Sequence, residues 1–563
     1  MRRWNGWGDD GTSYPLPESA AAYLSGLIGE GLDLEDASLE EVLAAIPAAR
    51  LPASRHPRLS TDPEDRLRHA RGQSLPDWVA LRCGQIENFP DGVAYPTSDE
   101  EVRELLAYAQ KTGVKIIPYG GGTSVVGHIN PLKGDAPVLT MDLSRLNRLL
   151  ELDETSRLAT FEAGVTGPEI ERQLRARGYT LGHFPQSFEY STLGGWIATR
   201  SSGQQSYYYG RIESLFAGGH VETPLGALDL PPHPASAAGP DIKQLILGSE
   251  GRLGVVTRAT LRVRRVPETE TFHAAFFHDW EQGIAALREI AQNGIGVSML
   301  RLSNAMETTT TLALAGKDDL VKWVDRGLRT LRYGEARCLL IFGVTGSQQM
   351  TRQAYRLASG VIRCHGGLLT GTAIGEMWRK SRFLTPYLRN TLWERGYALD
   401  TLETAVPWAN VTATAEETQK VIREGLTDPS TPFVPRASAA SAKRSCGRQC
   451  ETAGSGQGIG ERVLVFAHLS HVYKDGAGIY VTYLYRRADD PDETLRRWQA
   501  LKGAASRVIL AHGGTISHQH GVGLDHAPYL VAEKGEHGIR LLEAARRTLD
   551  PQGVLNPGKL LED

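Results

Sequence analysis

The feature that most constrains this chain is a run of three glycines directly after a strand-forming segment. Val114, Ile116 and Ile117 predict a strand that ends near Pro118, and three glycines follow at positions 120–122. Without side chains, such a loop can turn so tightly that several backbone N–H groups face one anion. Glycine triplets also form ordinary turns, so this loop alone leaves two interpretations open, a plain turn and a cradle for a phosphorylated cofactor.

Two later segments favour the phosphate cradle. Residues 184–203 are rich in small and hydroxylated side chains, which suit close backbone approach and hydrogen bonds to a polar ligand. Residues 248–257 join a glycine turn to a β-rich run that ends near Val263. A pattern of three such pieces in this order is harder to produce by chance than any one of them.

The length of the chain predicts more than one domain. Its 563 residues exceed what one hydrophobic core usually covers. We expect a mainly helical region over residues 1–88, a first domain over 89–268, a second over 269–500, and a C-terminal segment over 501–563 that closes the active site and returns to the first domain. The predicted helices include residues 17–28, 39–49, 102–112, 168–177 and 536–549, and the predicted strands include 114–118, 138–143, 158–162, 338–344 and 479–485.

The second domain contains a segment of different composition. Residues 429–460 are rich in Ser, Ala, Gly and Arg and lack apolar periodicity, which predicts a disordered surface insertion. Cys446 and Cys450 within it raise the alternative of a metal clip, although no second cysteine pair accompanies them. With Cys83, Cys338 and Cys364 they do not form a disulfide framework, which fits a reducing compartment.

Charge and hydropathy narrow the classes of partner. The formal net charge of -3 at pH 7 gives no electrostatic argument for a nucleic-acid partner. The N-terminus from Met1 to Trp7 is charged but lacks the apolar core of a secretory signal, and no apolar run is long enough to span a bilayer. We therefore expect a cytoplasmic location, and peripheral contact with a membrane remains compatible with the sequence.

The three segments and their surroundings resemble a known family, the flavoproteins of the vanillyl-alcohol oxidase type, and within it the alkyldihydroxyacetonephosphate synthases. The resemblance extends from residues 4–8, Trp-Asn-Gly-Trp-Gly, to the C-terminal helix and weakens at residues 429–460. It implies an α+β fold with a two-lobed FAD-binding domain of PCMH type, an α/β cap domain over the substrate, and the N-terminal helical region.

The same resemblance implies FAD as the cofactor. A pyrophosphate needs backbone donors without a blocking side chain, and the isoalloxazine needs an extended slot between domains. Members that bind FAD covalently often use a histidine in the first loop, where this chain has Thr123 and Ser124, so we expect noncovalent FAD. The implied FAD-binding residues are Pro118, Tyr119, Gly120, Gly121, Gly122, Thr123, Ser124, Gln186, Ser187, Phe188, Glu189, Tyr190, Ser191, Thr192, Thr199, Arg200, Ser201, Ser202, Glu250, Gly251, Arg252, Leu253, Gly254, Val255 and Val256.

Five other positions match residues that carry chemistry in the family. Arg301 matches an arginine placed near the flavin and implicated in activity, and Arg389 falls where a substrate-phosphate-binding arginine is found. Tyr480 matches the proposed proton-transfer tyrosine. His518 and His520 match two positions of a three-histidine run.

Each of these residue types also has a structural explanation. Any single arginine is most often a surface residue, and a tyrosine at the end of a β-run is usually a core residue. Two arginines could instead hold a phosphorylated ester and its departing carboxylate, because the guanidinium fork fits both anions. Basic neighbours can, however, lower the pKa of such a tyrosine enough for general base work. In strand geometry, His518 and His520 would point to one face, as a proton-handling pair would.

A metal site is the alternative for the histidines, together with His468 and His471. Metal-dependent 2-hydroxyacid dehydrogenases of the same superfamily carry a histidine ligand in a motif that contains Gly-Asp-Gly-Asn. Residues 475–480 resemble this motif loosely but end in Tyr480. We therefore predict no metal.

The activity implied by the resemblance is an exchange without net redox change. The oxidised flavin N5 would bond to C1 of an acyl-dihydroxyacetone phosphate after Tyr480 assists proton removal, and a fatty alcohol would replace the departing fatty acid, as in ether lipid synthesis. Arg389 would anchor the phosphate, Arg301 would steady the leaving group or the flavin, and His518 with His520 would shuttle protons. The predicted partner is a small-molecule or lipid substrate, and a homodimer remains compatible with the sequence.

Two other functions remain open at this point. One is the FAD-linked oxidation of a 2-hydroxy acid, such as D-lactate or glycolate, or of another alcohol. Residues 555–559, Leu-Asn-Pro-Gly-Lys, favour it by their similarity to the C-terminal turn of such enzymes, and Gln519 departs from the triple histidine of the synthases. The other is a catalytically idle flavin-binding protein, which the joint presence of Arg301, Arg389 and Tyr480 argues against.

Overall fold

The computed structural model of the protein describes residues 1–52, 58–314, 326–426 and 461–562. The predicted insertion over residues 429–460, with Cys446 and Cys450, lies outside the described residues. Across these described ranges, none of the helices combines the length and the hydropathy that a bilayer-crossing helix needs.

The glycine loop leaves the end of a strand in a four-stranded sheet, which we call sheet I. Lys115–Tyr119 pairs in parallel with Val138–Asp142, which pairs in parallel with Gly92–Ala94. The short strand Leu59–Ser60 completes the sheet in antiparallel orientation. The glycine loop therefore begins at the carboxyl end of a parallel strand, where ligands bind in open α/β sheets.

The helix before that strand confirms the sequence prediction for residues 102–112. It spans Asp99–Thr112, and the side chain of Ser98 accepts a hydrogen bond from the N–H of Glu101 at its start. Gly113 ends it in the left-handed conformation, with φ of +76°. Its apolar residues pack against sheet I in one buried cluster, which also contains Val554 and Leu555 from the C-terminal segment.

A second, antiparallel sheet of five strands, sheet II, carries the third glycine-bearing segment. The turn over residues 248–254 leads into the central strand of this sheet, where both edges of the strand are paired. In spatial order the strands are Leu149–Asp153, Leu158–Glu162, Val255–Arg262, Phe216–Thr223 and Gly226–Leu230. A two-stranded ladder, Tyr179–Thr180 with Arg264–Arg265, lies outside this sheet.

The largest sheet, sheet III, is antiparallel and has seven strands. Its side chains alternate between two faces, as the period of two in a strand requires. On Gly476–Arg486, the buried residues Val481 and Tyr483 belong to the main hydrophobic core, whereas Tyr480 and Thr482 face the other way and keep partial exposure. In spatial order the strands are Leu368–Gly371, Thr269–Phe277, Cys338–Gly346, Met299–Ser303, Leu464–Val472, Gly476–Arg486 and Tyr397–Pro407.

The prediction of a mainly helical region over residues 1–88 is wrong, because its four α-helices cover fewer than half of the described residues, and the second helix is also shorter than expected. It ends at Ala44 rather than near residue 49, because Pro47 lacks an N–H and cannot continue a helix. The α-helices of the described chain include Glu18–Ile28, Leu39–Ala44, Pro63–Arg68, Leu75–Arg82, Asp99–Thr112, Gly167–Arg175, Leu193–Thr199, Ser206–Tyr209, Ile212–Leu215, Lys243–Ile246, Trp280–Gln292, Ala305–Leu314, Gln348–Cys364, Ala373–Ser381, Thr385–Glu394, Val411–Glu424, Pro491–Ala511 and Leu530–Leu549. The mixture of these helices with parallel and antiparallel sheets confirms the α+β class.

The C-terminal residues contact sheet I. The N–H of Ile116 donates to the carbonyl of Val554 at 2.7 Å, and the N–H of Asn556 donates to the carbonyl of Ile116 at 2.7 Å. These bonds add residues 554–556 to the edge beside the strand that bears the glycine loop. The residue boundaries of the four predicted regions stay a prediction.

Sheet II contains a histidine held between two carboxylates. His220 Nδ1 lies 2.5 Å from Asp229 Oδ1, and His220 Nε2 lies 2.9 Å from Glu222 Oε1. Burial alone would lower the pKa of His220, but the hydrogen bonds to Asp229 and Glu222 outweigh burial and raise that pKa.

We expect this contact to stabilise the fold in a pH-dependent way. Because the pKa of His220 is raised in the folded state, its contribution is complete below the unfolded-state pKa and is lost as the pH rises through the folded-state pKa. The free energy of unfolding of the wild type should exceed that of His220→Gln at about pH 5.5, and this difference should shrink by about pH 9. Urea unfolding of both proteins measures it, and a difference that grows with pH would contradict the assignment.

Candidate active site

One cavity of about 700 Å³ lies between the glycine loop and one face of sheet III. All seven residues of the first predicted segment, 118–124, line it. From the opposite side, Tyr480, Thr482 and Leu484 of one strand line it at alternate positions. A concave, largely apolar site with a few polar groups is typical of cofactor and substrate pockets.

The glycine loop lies so close to the second segment that side chains would not fit. A Cβ on Gly120 would lie 2.1 Å from Thr192 Oγ1, and a Cβ on Gly121 would lie 1.9 Å from the carbonyl oxygen of Tyr190. Gly122 has φ of +64°, which favours glycine. The loop is therefore packed directly against residues 190–192, and it also lines the cavity.

The hydrogen bonding of this loop fits an anionic guest. Within the described residues, no hydrogen bond of the protein uses the backbone N–H groups of residues 120–124 as donors. Backbone donors without partners cost free energy when they are kept from water, so a ligand that accepts from them is favoured. A dinucleotide pyrophosphate meets that need, and the loop residues fit FAD in this respect.

The second segment contributes its small polar residues to the cavity and packs the others behind them. Gln186, Ser187, Ser191, Thr192, Thr199, Ser201 and Ser202 line the cavity. Phe188, Glu189, Tyr190 and Arg200 do not line it. Phe188 stacks on Phe383 with ring centroids 5.1 Å apart, and Arg200 Nε donates to the carbonyl of Leu247 at 3.0 Å.

The third segment divides in the same way. Glu250, Gly251, Gly254, Val255 and Val256 line the cavity, whereas Arg252 and Leu253 are buried behind it.

Glu250 joins this segment to the histidine-bearing loop. Its carboxylate accepts hydrogen bonds from the N–H groups of Val522, at 2.5 Å, and Gly523, at 2.9 Å. Its φ of +54° is uncommon for a residue with a side chain. The cofactor segment and the loop that follows His520 are therefore held by one buried carboxylate.

Tyr480 lies at the centre of the sheet III face. Its hydroxyl donates to Thr401 Oγ1 at 3.1 Å, and its ring stacks on His468 with centroids 5.0 Å apart. Burial raises the pKa of Tyr480 well above its usual value, and the carboxylates of Glu403 and Asp400 raise it further, against a smaller lowering by Thr401 and Arg301. The basic neighbour Arg301 does lower this pKa, but in the protein alone burial outweighs that effect.

Arg301 is neutralised by a carboxylate that the sequence did not suggest. Arg301 Nη2 donates to Glu307 Oε1 at 2.6 Å, and His468 Nδ1 lies 3.0 Å from the same oxygen. Burial alone would raise the pKa of Glu307, but Arg301 and His468 hold it well below its usual range. Glu307 is thus a permanent anion between two residues of the cavity wall.

Arg389 has a different environment. Its Nη1 donates to the carbonyl of Gln73 at 2.5 Å, and its guanidinium lies 4.4 Å from the ring centroid of Trp78. Its Nε and Nη2 are buried and have no hydrogen-bond partner within the described chain. Burial lowers the pKa of Arg389 to about 10, because the charged form is desolvated. A buried cation with two unused donors favours an anionic ligand.

Both predicted histidines approach Glu403, with His518 Nδ1 3.9 Å from its Oε2, but only His520 lines the cavity. Residues 515–522 form an irregular loop and not a strand, so the strand argument for a common face is wrong. His520 lines the cavity with Nδ1 3.3 Å from Glu403 Oε1. His518 lies behind the cavity lining, where its Nε2 is 2.6 Å from both Arg211 Nη1 and the Tyr473 hydroxyl.

Three charged residues of the site were missed by sequence reasoning: Glu307, Glu403 and Arg382. Nothing in the sequence paired Glu403 with His520. Arg382 follows Arg379 and Lys380, and no local pattern sets it apart from these two basic residues. No group of three or more His, Cys, Asp or Glu side chains in the described ranges is arranged to hold a metal ion.

Comparisons with known proteins agree with this geometry. A family model described as an FAD binding domain matches residues 90–228, and one described as the C-terminal domain of FAD linked oxidases matches residues 266–560. An alkyldihydroxyacetonephosphate synthase of Dictyostelium discoideum is 30% identical, with 99% of this chain and 93% of that protein covered. A mitochondrial cytochrome-dependent D-lactate dehydrogenase of Arabidopsis thaliana is 25% identical, with 89% and 78% covered.

A solved alkyldihydroxyacetonephosphate synthase structure extends the likeness to the fold. It superimposes with a TM-score of 0.82 at 28% identity and covers 99% of both chains. The predicted two-lobed FAD-binding fold with its cap is thereby confirmed. The chain belongs to the alkyldihydroxyacetonephosphate synthase family of FAD-linked enzymes.

Proposed function

We propose that this protein is an FAD-dependent alkylglycerone-phosphate synthase, a transferase that exchanges the acyl group of acyl-dihydroxyacetone phosphate for a fatty alcohol in ether lipid synthesis. The observation that carries the proposal is the content of one cavity. It joins the glycine loop, Arg389 with its unused donors and Tyr480 to a set of apolar lining residues. In that cavity the glycine loop suits the cofactor, Arg389 suits the phosphate, Tyr480 suits the reacting carbon, and the apolar residues suit the alkyl chain.

The cofactor would be held by the first loop and the hydroxylated second segment. Bound FAD would supply an electron-poor ring beside the reacting carbon. The N–H groups of residues 120–124 would bind the pyrophosphate, and Ser201 and Ser202 would offer hydroxyl groups along the slot. We propose noncovalent binding, because Thr123 and Ser124 offer no imidazole nitrogen at the loop position.

Arg389 would bind the substrate phosphate. Its Nε and Nη2 remain free for two parallel hydrogen bonds, while Trp78 and Gln73 hold the guanidinium in place. The aliphatic chain would lie along apolar residues of the same cavity, among them Leu388 and Leu484.

Tyr480 and His520 would share the proton transfer. Tyr480 is a neutral phenol in the protein alone, so it can donate a hydrogen bond and can act as a base only if a ligand changes its surroundings. The ring of His520 meets that of Tyr480 edge to face at 6.1 Å, and Glu403 lies beside its Nδ1. Burial lowers the pKa of His520, so the neutral imidazole, the form that can accept a proton, is favoured.

The exchange balances without an outside oxidant or reductant. The bond between C1 of the glycerone and the acyl oxygen breaks, and the fatty acid leaves as a carboxylate with the bonding electrons. The alcohol oxygen forms the new bond to C1, and its proton passes through His520 to solvent. A proton that is removed from C1 earlier in the cycle returns to C1 through Tyr480.

The oxidation of a 2-hydroxy acid is the second candidate, favoured in the sequence by residues 555–559. In the fold, Asn556 Nδ2 donates to the carbonyl of Glu250 at 2.7 Å, and the carbonyl of Leu555 accepts from Arg252 at 2.9 Å. These hydrogen bonds stabilise the third predicted FAD-binding segment. Both candidate activities need FAD, so residues 555–559 do not favour one over the other. A cytoplasmic location, peripheral membrane contact and a homodimer stay predictions.

The two chemistries differ in what they do to the flavin. Anaerobic mixing of the FAD-loaded protein with acyl-dihydroxyacetone phosphate should perturb the flavin absorbance without lasting bleaching, because the exchange leaves no net electrons on the cofactor. D-lactate should leave the spectrum unchanged. Stable bleaching by D-lactate or glycolate, with no response to the phosphorylated ester, would contradict the proposal.

The role of the glycine loop in FAD binding can be tested with a matched control. Gly121→Ala should weaken FAD binding by about 10-fold or more, because the new Cβ would overlap the carbonyl of Tyr190. Gly134→Ala should bind FAD as the wild type does, since a Cβ there meets nothing within 4 Å. Titration of the apoproteins with FAD measures both. Equal affinities would show that the cofactor does not use this loop.

Arg389 can be tested through the phosphate alone. Arg389→Gln should lower kcat/KM for acyl-dihydroxyacetone phosphate by about 10- to 100-fold, the range for losing charge-assisted hydrogen bonds. It should lower kcat/KM far less for the dephosphorylated analogue. Arg395→Gln, at an exposed site on the end of the same helix, is the control. Equal losses with both substrates would contradict a phosphate contact.

A further inference from the structure

Three arginines line the cavity, and they differ in whether a carboxylate balances their charge. Arg301 lies 2.6 Å from Glu307. Neither Arg382 nor Arg389 forms an ion pair within the described part of the chain. The proposed exchange involves two separate anions, the substrate phosphate and the departing carboxylate. Arg389 has the donors for the first, so Arg382 is the cation that remains unassigned.

Aromatic rings hold Arg382 in place without neutralising it. Its guanidinium carbon lies 4.8 Å from the ring centroid of Phe184, 4.8 Å from that of Phe383 and 5.8 Å from that of Trp378. Such contacts orient a guanidinium plane and leave its edges available. Arg382 Nη1 donates to Gln205 Oε1 at 3.0 Å.

Gln205 separates Arg382 from the carboxylate of Glu270. Gln205 Nε2 donates to Glu270 Oε1 at 2.9 Å, so the amide of Gln205 lies between that carboxylate and Arg382. Burial lowers the pKa of Arg382 to about 10, and Glu270 offsets only part of this. A desolvated guanidinium with one edge in use binds a carboxylate well, because two parallel N–H groups match its two oxygens.

The surroundings of Arg382 are suited to a hydrocarbon chain. We define the apolar pouch as Met299, Leu339, Ile341, Ile374, Met377 and Trp378, all of which line the same cavity. Met299, Leu339 and Ile341 come from the face of sheet III that also bears Arg301, and the other three come from the helix that ends at Arg382. A cation beside an apolar pouch selects a ligand with an anionic head joined directly to an apolar chain.

We propose that Arg382 and the apolar pouch form a binding site for the carboxylate and chain of a long-chain fatty acid. In the proposed exchange this is the leaving group, which departs with the electrons of the broken C1–O bond and takes up no proton while Arg382 holds it. An intact acyl-dihydroxyacetone phosphate differs, because the glycerone separates its phosphate from its chain. The identity of the acid as a product rests on the proposed function, whereas its binding at Arg382 does not.

The test measures binding without turnover. The FAD-loaded wild type, Arg382→Gln, Arg382→Lys and Arg379→Gln are titrated calorimetrically with palmitate and, separately, with hexadecanol. Arg379 is the matched control, because it lies on the same helix with 41% of its side chain exposed and pairs with Glu376. Flavin absorbance checks that each variant is folded and loaded.

We expect Arg382→Gln to weaken palmitate binding by about 10- to 100-fold and to leave hexadecanol binding unchanged. Arg382→Lys should retain part of the preference for the acid, and Arg379→Gln should match the wild type. Unchanged palmitate binding in Arg382→Gln would overturn the site, as would an equal loss for both ligands. Loss of FAD from both Arg382 variants would overturn it as well, since Arg382 would then be a cofactor contact. Normal palmitate binding in a protein without exchange activity would contradict only the proposed function.

Discussion

The structure depends on the contact between the glycine loop and the second segment. A Cβ at Gly120 or Gly121 would lie within 2.1 Å of Thr192 or Tyr190, so the backbone itself closes this side of the cavity. The same constraint leaves the N–H groups of residues 120–124 without partners in the described chain. The close packing and the capacity to bind an anion therefore have one cause, the absence of side chains.

The opposite wall is organised by carboxylates. Glu307 joins Arg301 to His468, and Glu403 lies beside His520. These anions keep part of the cationic charge compensated, which buried charges require. Glu403 and burial also help to keep Tyr480 protonated in the protein alone. Because Arg382 and Arg389 form no ion pair in the described chain, ligand anions would be directed to these two guanidinium groups.

Much of the fold could be predicted from local sequence. Ser98 and Gly113 mark the helix Asp99–Thr112, and the β-branched residues before Pro118 mark the strand that bears the loop. The helix predicted near residue 168 and the strand at 158–162 are also confirmed, because their caps and periodicity are local signals.

Site residues could be predicted where the residue type alone indicates the function. They could not be predicted where the function depends on a partner from a distant part of the sequence. Most of the residues predicted to bind FAD do line the cavity, as does Arg389. The pairing of Glu307 with His468 joins residues 161 positions apart, which no local pattern reveals. The pKa of Tyr480 also depended on burial that the sequence does not give. Arg382 was missed because Phe184 and Gln205, which contact it, lie far from it in the sequence.

The most direct test of the account is a crystal structure of the protein with its FAD bound. The account predicts the pyrophosphate within hydrogen-bond distance, about 3 Å, of the backbone N–H groups of residues 120–124, with the flavin ring facing Tyr480. A pyrophosphate bound elsewhere, or a flavin ring turned away from the sheet III face that bears Tyr480, would contradict it.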